Sequence, residues 1–179
     1  MTRSVLLVVD VQTALIEAIS YNKQKTIDNI KELLSAARNN QKEVIYVCHD
    51  VSNIIDLEND IGKWDIYSEV APDKDEMIFK KQYNSAFYQT DLKSYLESKE
   101  IDTIILVGLQ TEYCIDTTCK VAFEYGYKVI IPEETNTTFD NEYLPANRLY
   151  EYYNHKIWDK RFASVIPVKK VIEIFLEDF

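Results

Sequence analysis

The stretch Thr103-Ile-Ile-Leu-Val-Gly-Leu-Gln-Thr-Glu-Tyr-Cys-Ile-Asp-Thr-Thr118 changes its period midway. Ile104–Val107 is a short, branched, apolar run, the pattern of a strand covered on both faces. The run breaks at Gly108, and helical spacing then takes over at Cys114, Thr118, Val121, Ala122 and Tyr125. The reading is a strand, a tight turn and a helix with Cys114 in its first turn. The first N–H groups of a helix have no partner inside it and lie at the positive end of its dipole. A thiol placed there is expected to ionise more readily than a free cysteine, and the thiolate is the form that attacks carbonyls. A small buried cysteine packing helix on sheet fits the same position, so the rest of the chain has to decide.

Working outward, the same alternation recurs. Ser4–Val9 reads as a buried strand that ends at Asp10. Residues 23–40 form an amphipathic helix with Ile27, Ile30, Leu34 and Ala37 on one face. Glu43–Cys48 is a second strand with His49-Asp50 just beyond it. Residues 51–76 show no sustained period and are read as an irregular loop holding Trp64 and Tyr67. Met77–Lys81 is a short strand, Thr90 caps a helix over Asp91–Ser98, and Lys128–Ile131 is a strand closed by Pro132. Residues 133–140 read as a loop, and 142–156 as a helix with Pro145 in its first turn. Phe162–Ile166 and Val168–Leu176 are a last strand and a last helix. With no linker or repeat, residues 1–179 are expected to form a single domain: a three-layer α/β/α fold around a mainly parallel, Rossmann-like sheet. In such sheets ligands bind at the carboxyl ends of the strands. Asp10, His49-Asp50, Lys81, Gly108–Cys114 and Glu133-Glu134 all arrive at that edge.

Composition removes several chemistries. A net charge of −10 disfavours nucleic acid and anionic membranes as partners. Three cysteines, an odd number, with no apolar leader or membrane span point to a reducing, cytoplasmic setting. Three glycines are too few for a G-x-G-x-x-G or Walker-type phosphate loop. Two histidines, His49 and His155, leave no H-E-x-x-H, and no G-x-S-x-G elbow presents a serine. What remains at the strand ends is a carboxylate, a lysine and a thiol. Cysteine supplies a nucleophile, the carboxylate can take its proton, and the ammonium can hold the carboxylate charged and lower the thiol pKa. Alternation along Met77–Lys81 does not decide between Lys80 and Lys81.

Four segments carry a family resemblance: Leu6-Leu-Val-Val-Asp-Val-Gln12, Lys81-Gln-Tyr-Asn-Ser-Ala-Phe87 with Thr90-Asp-Leu92, Val107-Gly-Leu-Gln-Thr-Glu-Tyr-Cys114, and Ala122-Phe-Glu-Tyr-Gly-Tyr127. In their order and spacing the chain resembles, over nearly its whole length, the isochorismatase-like cysteine hydrolases, the superfamily of nicotinamidases and N-carbamoylsarcosine amidase. The resemblance implies a catalytic Asp10, Lys81 and Cys114, with the spacing to Ser85–Phe87 selecting Lys81. It also implies a cis peptide between Leu109 and Gln110, and an oxyanion hole from the Gln110 and Cys114 backbone N–H groups. The implied activity is hydrolysis of a C–N bond in a small-molecule amide through a thioester, by a homo-oligomer (dimer or tetramer) with no cofactor. Gln12, Trp64, Tyr67, Phe87 and Tyr113 are the candidate pocket residues.

Two departures shape the expectation. Nicotinamidases carry an Asp-x-His and a further histidine as metal ligands after the second strand, whereas residues 50–76 here hold no histidine. No metal site is therefore expected, and nicotinamidase is an alternative reading. Isochorismatase-type cleavage of a vinyl ether is another, although a retained Cys114 points to amide chemistry. A thiol redox sensor and a catalytically inactive binding subunit are alternatives of a different class. Cys119 is read as core, Cys48 and His49 as neighbours of the site without an assigned role, and His155 as a surface or interface residue.

Overall fold

The computed structural model describes residues 3–19, 21–51 and 62–177, the side chain of Glu177 excepted. Residues 52–61 of the expected irregular loop lie outside the described residues. In chain order the elements are β1 (Ser4–Val9), α1 (Thr13–Ala18), α2 (Lys23–Asn39), β2 (Glu43–His49), β3 (Met77–Lys81), α3 (Leu92–Ser98), β4 (Thr103–Leu109), α4 (Asp116–Glu124), β5 (Lys128–Pro132), β6 (Asn136–Thr137), α5 (Ala146–Glu151), β7 (Ser164–Ile166) and α6 (Val168–Glu177). The sheet runs β3-β2-β1-β4-β5-β7, with β6 paired to β4. Every strand pairing is parallel. This is the three-layer α/β fold expected from the alternation of elements.

The two central strands show why such runs form a buried sheet. Along a strand, successive side chains leave opposite faces. Val5, Leu7 and Val9 of β1 and Ile104 and Leu106 of β4 point into one core, where Leu92, Leu96, Cys119, Ala122 and Trp158 pack. Leu6, Val8, Ile105 and Val107 point into the other, against Ile27, Ile30, Leu33 and Leu34 of α2 and Val171 and Phe175 of α6. Strands with no wet face need no polar alternation, and β1 and β4 have none.

Strand order reverses between β1 and β4, and a crevice opens there at the carboxyl ends. Gly108 makes the approach of the two strands possible. It lies opposite Val9 with φ +124°, and a β-carbon built on it would sit 1.9 Å from the Val9 carbonyl oxygen. Glycine is required here on both counts.

The structure corrects several local readings. β4 does not break at Gly108 but runs on to Leu109, because β6, inside the expected 133–140 loop, pairs with its last two residues where β5 has diverged. A short helix, α1, follows β1 where none was expected. The Thr90 hydroxyl turns back to donate to the Ala86 carbonyl at 2.6 Å and meets the Leu92 N–H only at 3.5 Å, and Asp91 holds the cap position of α3. Pro145 precedes α5 as its cap, and α5 continues as a wider π-helical segment, Tyr152–Trp158. Cys114 does not lie in the first turn of an α-helix. Thr111–Ile115 is a π-turn, with the Ile115 N–H on the Gln110 carbonyl at 3.1 Å, and α4 starts only at Asp116.

Candidate active site

Four strand ends supply the site. β1 ends at Val9, and Asp10 turns with φ +52°, a left-handed conformation that aspartate tolerates better than branched residues. Its N–H still bonds the Val47 carbonyl at 2.8 Å, so the residue is held to β2 while its side chain swings across the crevice. Lys81 closes β3 and is paired in register with His49 of β2. Its long side chain runs past β2 to the middle of the sheet. The chain after Lys81 is tied to α4 by a hydrogen bond from the Ala86 N–H to the Thr118 hydroxyl, 3.0 Å.

These placements converge on one atom. Lys81 Nζ lies 2.6 Å from Asp10 Oδ2, 3.2 Å from Cys114 Sγ and 3.2 Å from His49 Nδ1. Asp10 and Lys81 are each 2% exposed and Cys114 8%, so the charged pair is desolvated and each charge depends on the other. The second carboxylate oxygen, Asp10 Oδ1, is buried with no hydrogen-bond partner among the described residues. Asn84 adds its Oδ1 at 3.8 Å from the sulfur.

Burial pushes the Cys114 thiol up to about 12; the Asp10 charge adds to the rise and Lys81 opposes it. This reverses the expectation of a thiol ionised by its lysine and helix end. Burial is the main cause and the Asp10 carboxylate compensates the ammonium, while Cys114 sits in a π-turn instead of at an α-helical N-terminus. The resting group is a thiol with a carboxylate beside it.

A cavity of about 230 Å³ opens onto the sulfur, lined by Asp10, Leu15, His49, Trp64, Asn84, Gln110, Tyr113 and Cys114. Trp64 and Tyr113 are pocket walls. Among the described residues Gln12, Tyr67 and Phe87 do not line this cavity, although Phe87 lines a second one of about 780 Å³ that shares Asn84 with it. Gln12 is buried; its amide donates to the carbonyls of His49 (3.1 Å) and Trp64 (2.6 Å) and accepts from the His49 N–H (2.9 Å), so it holds two wall residues from behind. The Tyr67 hydroxyl reaches out to Glu69. Phe87 packs in the core, its ring against those of Tyr125 and Tyr127. Leu15 and Asn84 were not singled out in the sequence, Leu15 belonging to the unforeseen α1, whereas His49 was placed beside the site without a role and lines its cavity. The Leu109–Gln110 peptide is cis, and the Gln110 N–H has no acceptor among the described residues.

The residues after the turn are fastened by buried amides. The Thr111 hydroxyl donates to Asn136 Oδ1 (2.8 Å), Asn136 and Asn154 exchange side-chain hydrogen bonds (3.0 and 3.1 Å), and Asn154 also donates to the Tyr150 carbonyl (2.9 Å). The two-residue strand β6 therefore positions the turn as well as pairing with β4.

Asp10, His49 and Cys114 offer a carboxylate oxygen, a ring nitrogen and a sulfur within 4.8 Å of one another. That donor set is of the kind that takes zinc, but Lys81 Nζ already sits among these groups and makes a hydrogen bond with each of them. The residues do not fit a resident metal: the cation of the cluster is the lysine.

The chain thus carries a buried acid, lysine and cysteine at the switch point of a parallel α/β sheet. Residues 4–166 match the isochorismatase domain, and the chain belongs to that family, as an isochorismatase-family hydrolase. It is similar to a streptothricin hydrolase of Streptomyces noursei (29% identical over 145 residues, 79% of this chain and 51% of that protein) and to an isochorismatase-family protein of Bacillus subtilis (25% identical, 98% of this chain and 97% of that protein). The chain thus spans about half the length of the first and nearly all of the second. Among solved structures it resembles a cysteine hydrolase from Pseudomonas syringae pv. phaseolicola 1448A, with a TM-score of 0.86 and 26% identity over 99% of this chain and 94% of that one. No helix of the described residues is long and apolar enough to cross a membrane.

Proposed function

We propose that the chain hydrolyses a C–N bond of a small-molecule amide, using Cys114 as nucleophile, Asp10 as proton carrier and Lys81 as the fixed charge between them. The observation that carries this reading is a buried thiol within 4.8 Å of an Asp10 carboxylate oxygen, with Asp10 Oδ1 free of any hydrogen-bond partner among the described residues and both residues in the wall of the same cavity. A thiol held up near 12 is a poor nucleophile by itself and needs a neighbouring base. The names of two similar proteins agree with amide chemistry, a maleamate amidohydrolase of Pseudomonas putida and an N-carbamoylsarcosine amidase of Arthrobacter, and the streptothricin hydrolase is named for hydrolysis.

The steps follow from the groups present. Asp10 takes the thiol proton as Cys114 Sγ attacks the carbonyl carbon, and the carbonyl oxygen becomes an oxyanion facing the Gln110 and Cys114 N–H groups. The C–N bond then breaks as the proton on Asp10 passes to the leaving nitrogen. This leaves a thioester on Cys114 and frees ammonia or an amine. Water attacks the thioester, gives a proton to Asp10, and the acid departs as that proton returns to the sulfur. Lys81 holds Asp10 as a carboxylate at the start and end of each half-reaction.

A panel of small amides scored by ammonia release tests the reading, with intact-protein mass spectrometry for an acyl group on Cys114. Turnover that Cys114→Ala abolishes, with an acyl adduct at that residue, is the expected result. Amide turnover that survives Cys114→Ala, or oxidation by dilute peroxide in place of acylation, overturns it.

A further inference from the structure

We infer that His49 is a positioning residue: a neutral imidazole whose Nδ1 accepts the third N–H of the Lys81 ammonium and so fixes that ammonium between Asp10 and Cys114. The inference rests on the catalytic reading above and adds a residue to it. A lysine ammonium has three N–H donors and no acceptor. The Lys81 side chain is completely buried, and each unpaired donor on a buried charge is costly. Three acceptors surround it: Asp10 Oδ2, Cys114 Sγ and His49 Nδ1. Donors and acceptors match one to one only if Nδ1 carries a lone pair, which puts the ring proton on Nε2.

The fold holds His49 for this task. Gln12 grips its backbone on both sides, N–H to Oε1 and carbonyl to Nε2. Parallel register sets it directly beside Lys81, and the ring forms part of the cavity wall. The charged and titratable groups facing it are Lys81 from β3, Asp10 from the end of β1, Cys114 from the π-turn and its own neighbour Asp50. Burial, and then Lys81, hold the imidazole below its ordinary pKa, and the two carboxylates oppose them. Protonation at Nδ1 would remove the acceptor and set a second cation 3.2 Å from the ammonium. Lys81 must then shift away from His49, and the spacing of Asp10 and Cys114 shifts with it.

The test combines a spectroscopic and a kinetic arm on the full chain. Nitrogen-15 NMR of the ring distinguishes His49 from His155, the two histidines of the chain, by assignment through a His155→Gln sample. At neutral pH His49 is expected as the Nε2–H tautomer, and Lys81→Met is expected to raise its titration midpoint and weaken the tautomer preference. Kinetically, His49→Leu should lower kcat by up to about 10²-fold, as a displaced catalytic group does, with KM changed far less. His49→Gln, whose Oε1 can replace Nδ1, should recover part of kcat and lose the acid-side fall of the wild-type pH profile. An Nδ1–H tautomer or a charged ring at neutral pH overturns the inference. So does a His49→Gln variant whose acid limb matches wild type. If wild type turns over no amide while the ring is Nε2–H and responds to Lys81→Met, the positioning role stands and the amidase reading fails.

Discussion

Gly108→Ala offers the sharpest test of how the crevice is built. The added methyl would lie 1.9 Å from the Val9 carbonyl oxygen and 2.8 and 2.9 Å from its carbon and nitrogen. Ordinary contact lies near 3.5 Å, so β1 and β4 must part by about 1.5 Å at this point. Holding a non-glycine residue at φ +124° costs about 1–3 kcal/mol, and forcing the strands apart costs about 1–3 kcal/mol more. Against a total stability of about 5–15 kcal/mol, the variant should fold but lose about 2–6 kcal/mol, read from the urea midpoint. The functional loss should be larger than the stability loss implies. Asp10 directly follows Val9, and the Gln110 N–H lies two residues beyond Gly108, so the shift moves the proposed base and the proposed oxyanion donor apart. A displacement of about 1 Å costs about 10²-fold in rate, so kcat at temperatures where the variant is fully folded should fall at least that far. A Gly108→Ala protein with an unchanged urea midpoint and normal turnover would refute the reasoning, since the carbonyl contact leaves no room for both.

Three further outcomes are expected. Iodoacetamide should label Cys114 at pH 7 at least about 10²-fold more slowly than a free thiol, because a group held near 12 has a thiolate fraction orders of magnitude below that of an ordinary cysteine; labelling at the free-thiol rate contradicts the burial argument, and labelling should accelerate steadily as pH rises. Asp10→Asn should retain the side-chain shape and abolish amide turnover, because an amide cannot carry the proton; measurable acyl-enzyme formation in a burst assay would remove Asp10 from that role. Gln12→Met leaves the His49 N–H and the Trp64 carbonyl without their buried partner, at about 1–3 kcal/mol; the urea midpoint and kcat should both fall, and an effect on neither would show that the amide merely fills space.

Much of the architecture was legible because β1 and β4 are buried on both faces, so their apolar runs carry no competing helical signal. The edge where Asp10, Lys81 and Cys114 meet followed from the rule for strand ends. What stayed hidden depends on the third dimension. The two-residue β6 has no period to detect and exists because β5 has diverged from β4 at Gly108. A π-turn differs from an α-turn by one hydrogen-bond register, which spacing at Cys114, Thr118 and Val121 does not resolve. His49 offered no motif, since its contact with Lys81 comes from register between β2 and β3. Gln12 and Phe87 belong to segments that surround the site, yet Gln12 acts from behind the wall and Phe87 from the core. The thiol was misjudged because burial outweighs its lysine, whose charge the Asp10 carboxylate also compensates.

The two tryptophans divide the molecule between them. Trp158 is fully buried, its indole N–H on Asp116 Oδ1 at 2.9 Å, while Trp64 stands half-buried in the cavity wall. Each therefore emits from a different environment, one dry and fixed, the other open to whatever enters. Trp158→Phe would leave a single fluorophore at the cavity, and its emission colour and quenching by acrylamide would report occupancy in real time without a label. The chain carries its own optical probe for screening amides whose hydrolysis is too slow to follow by product.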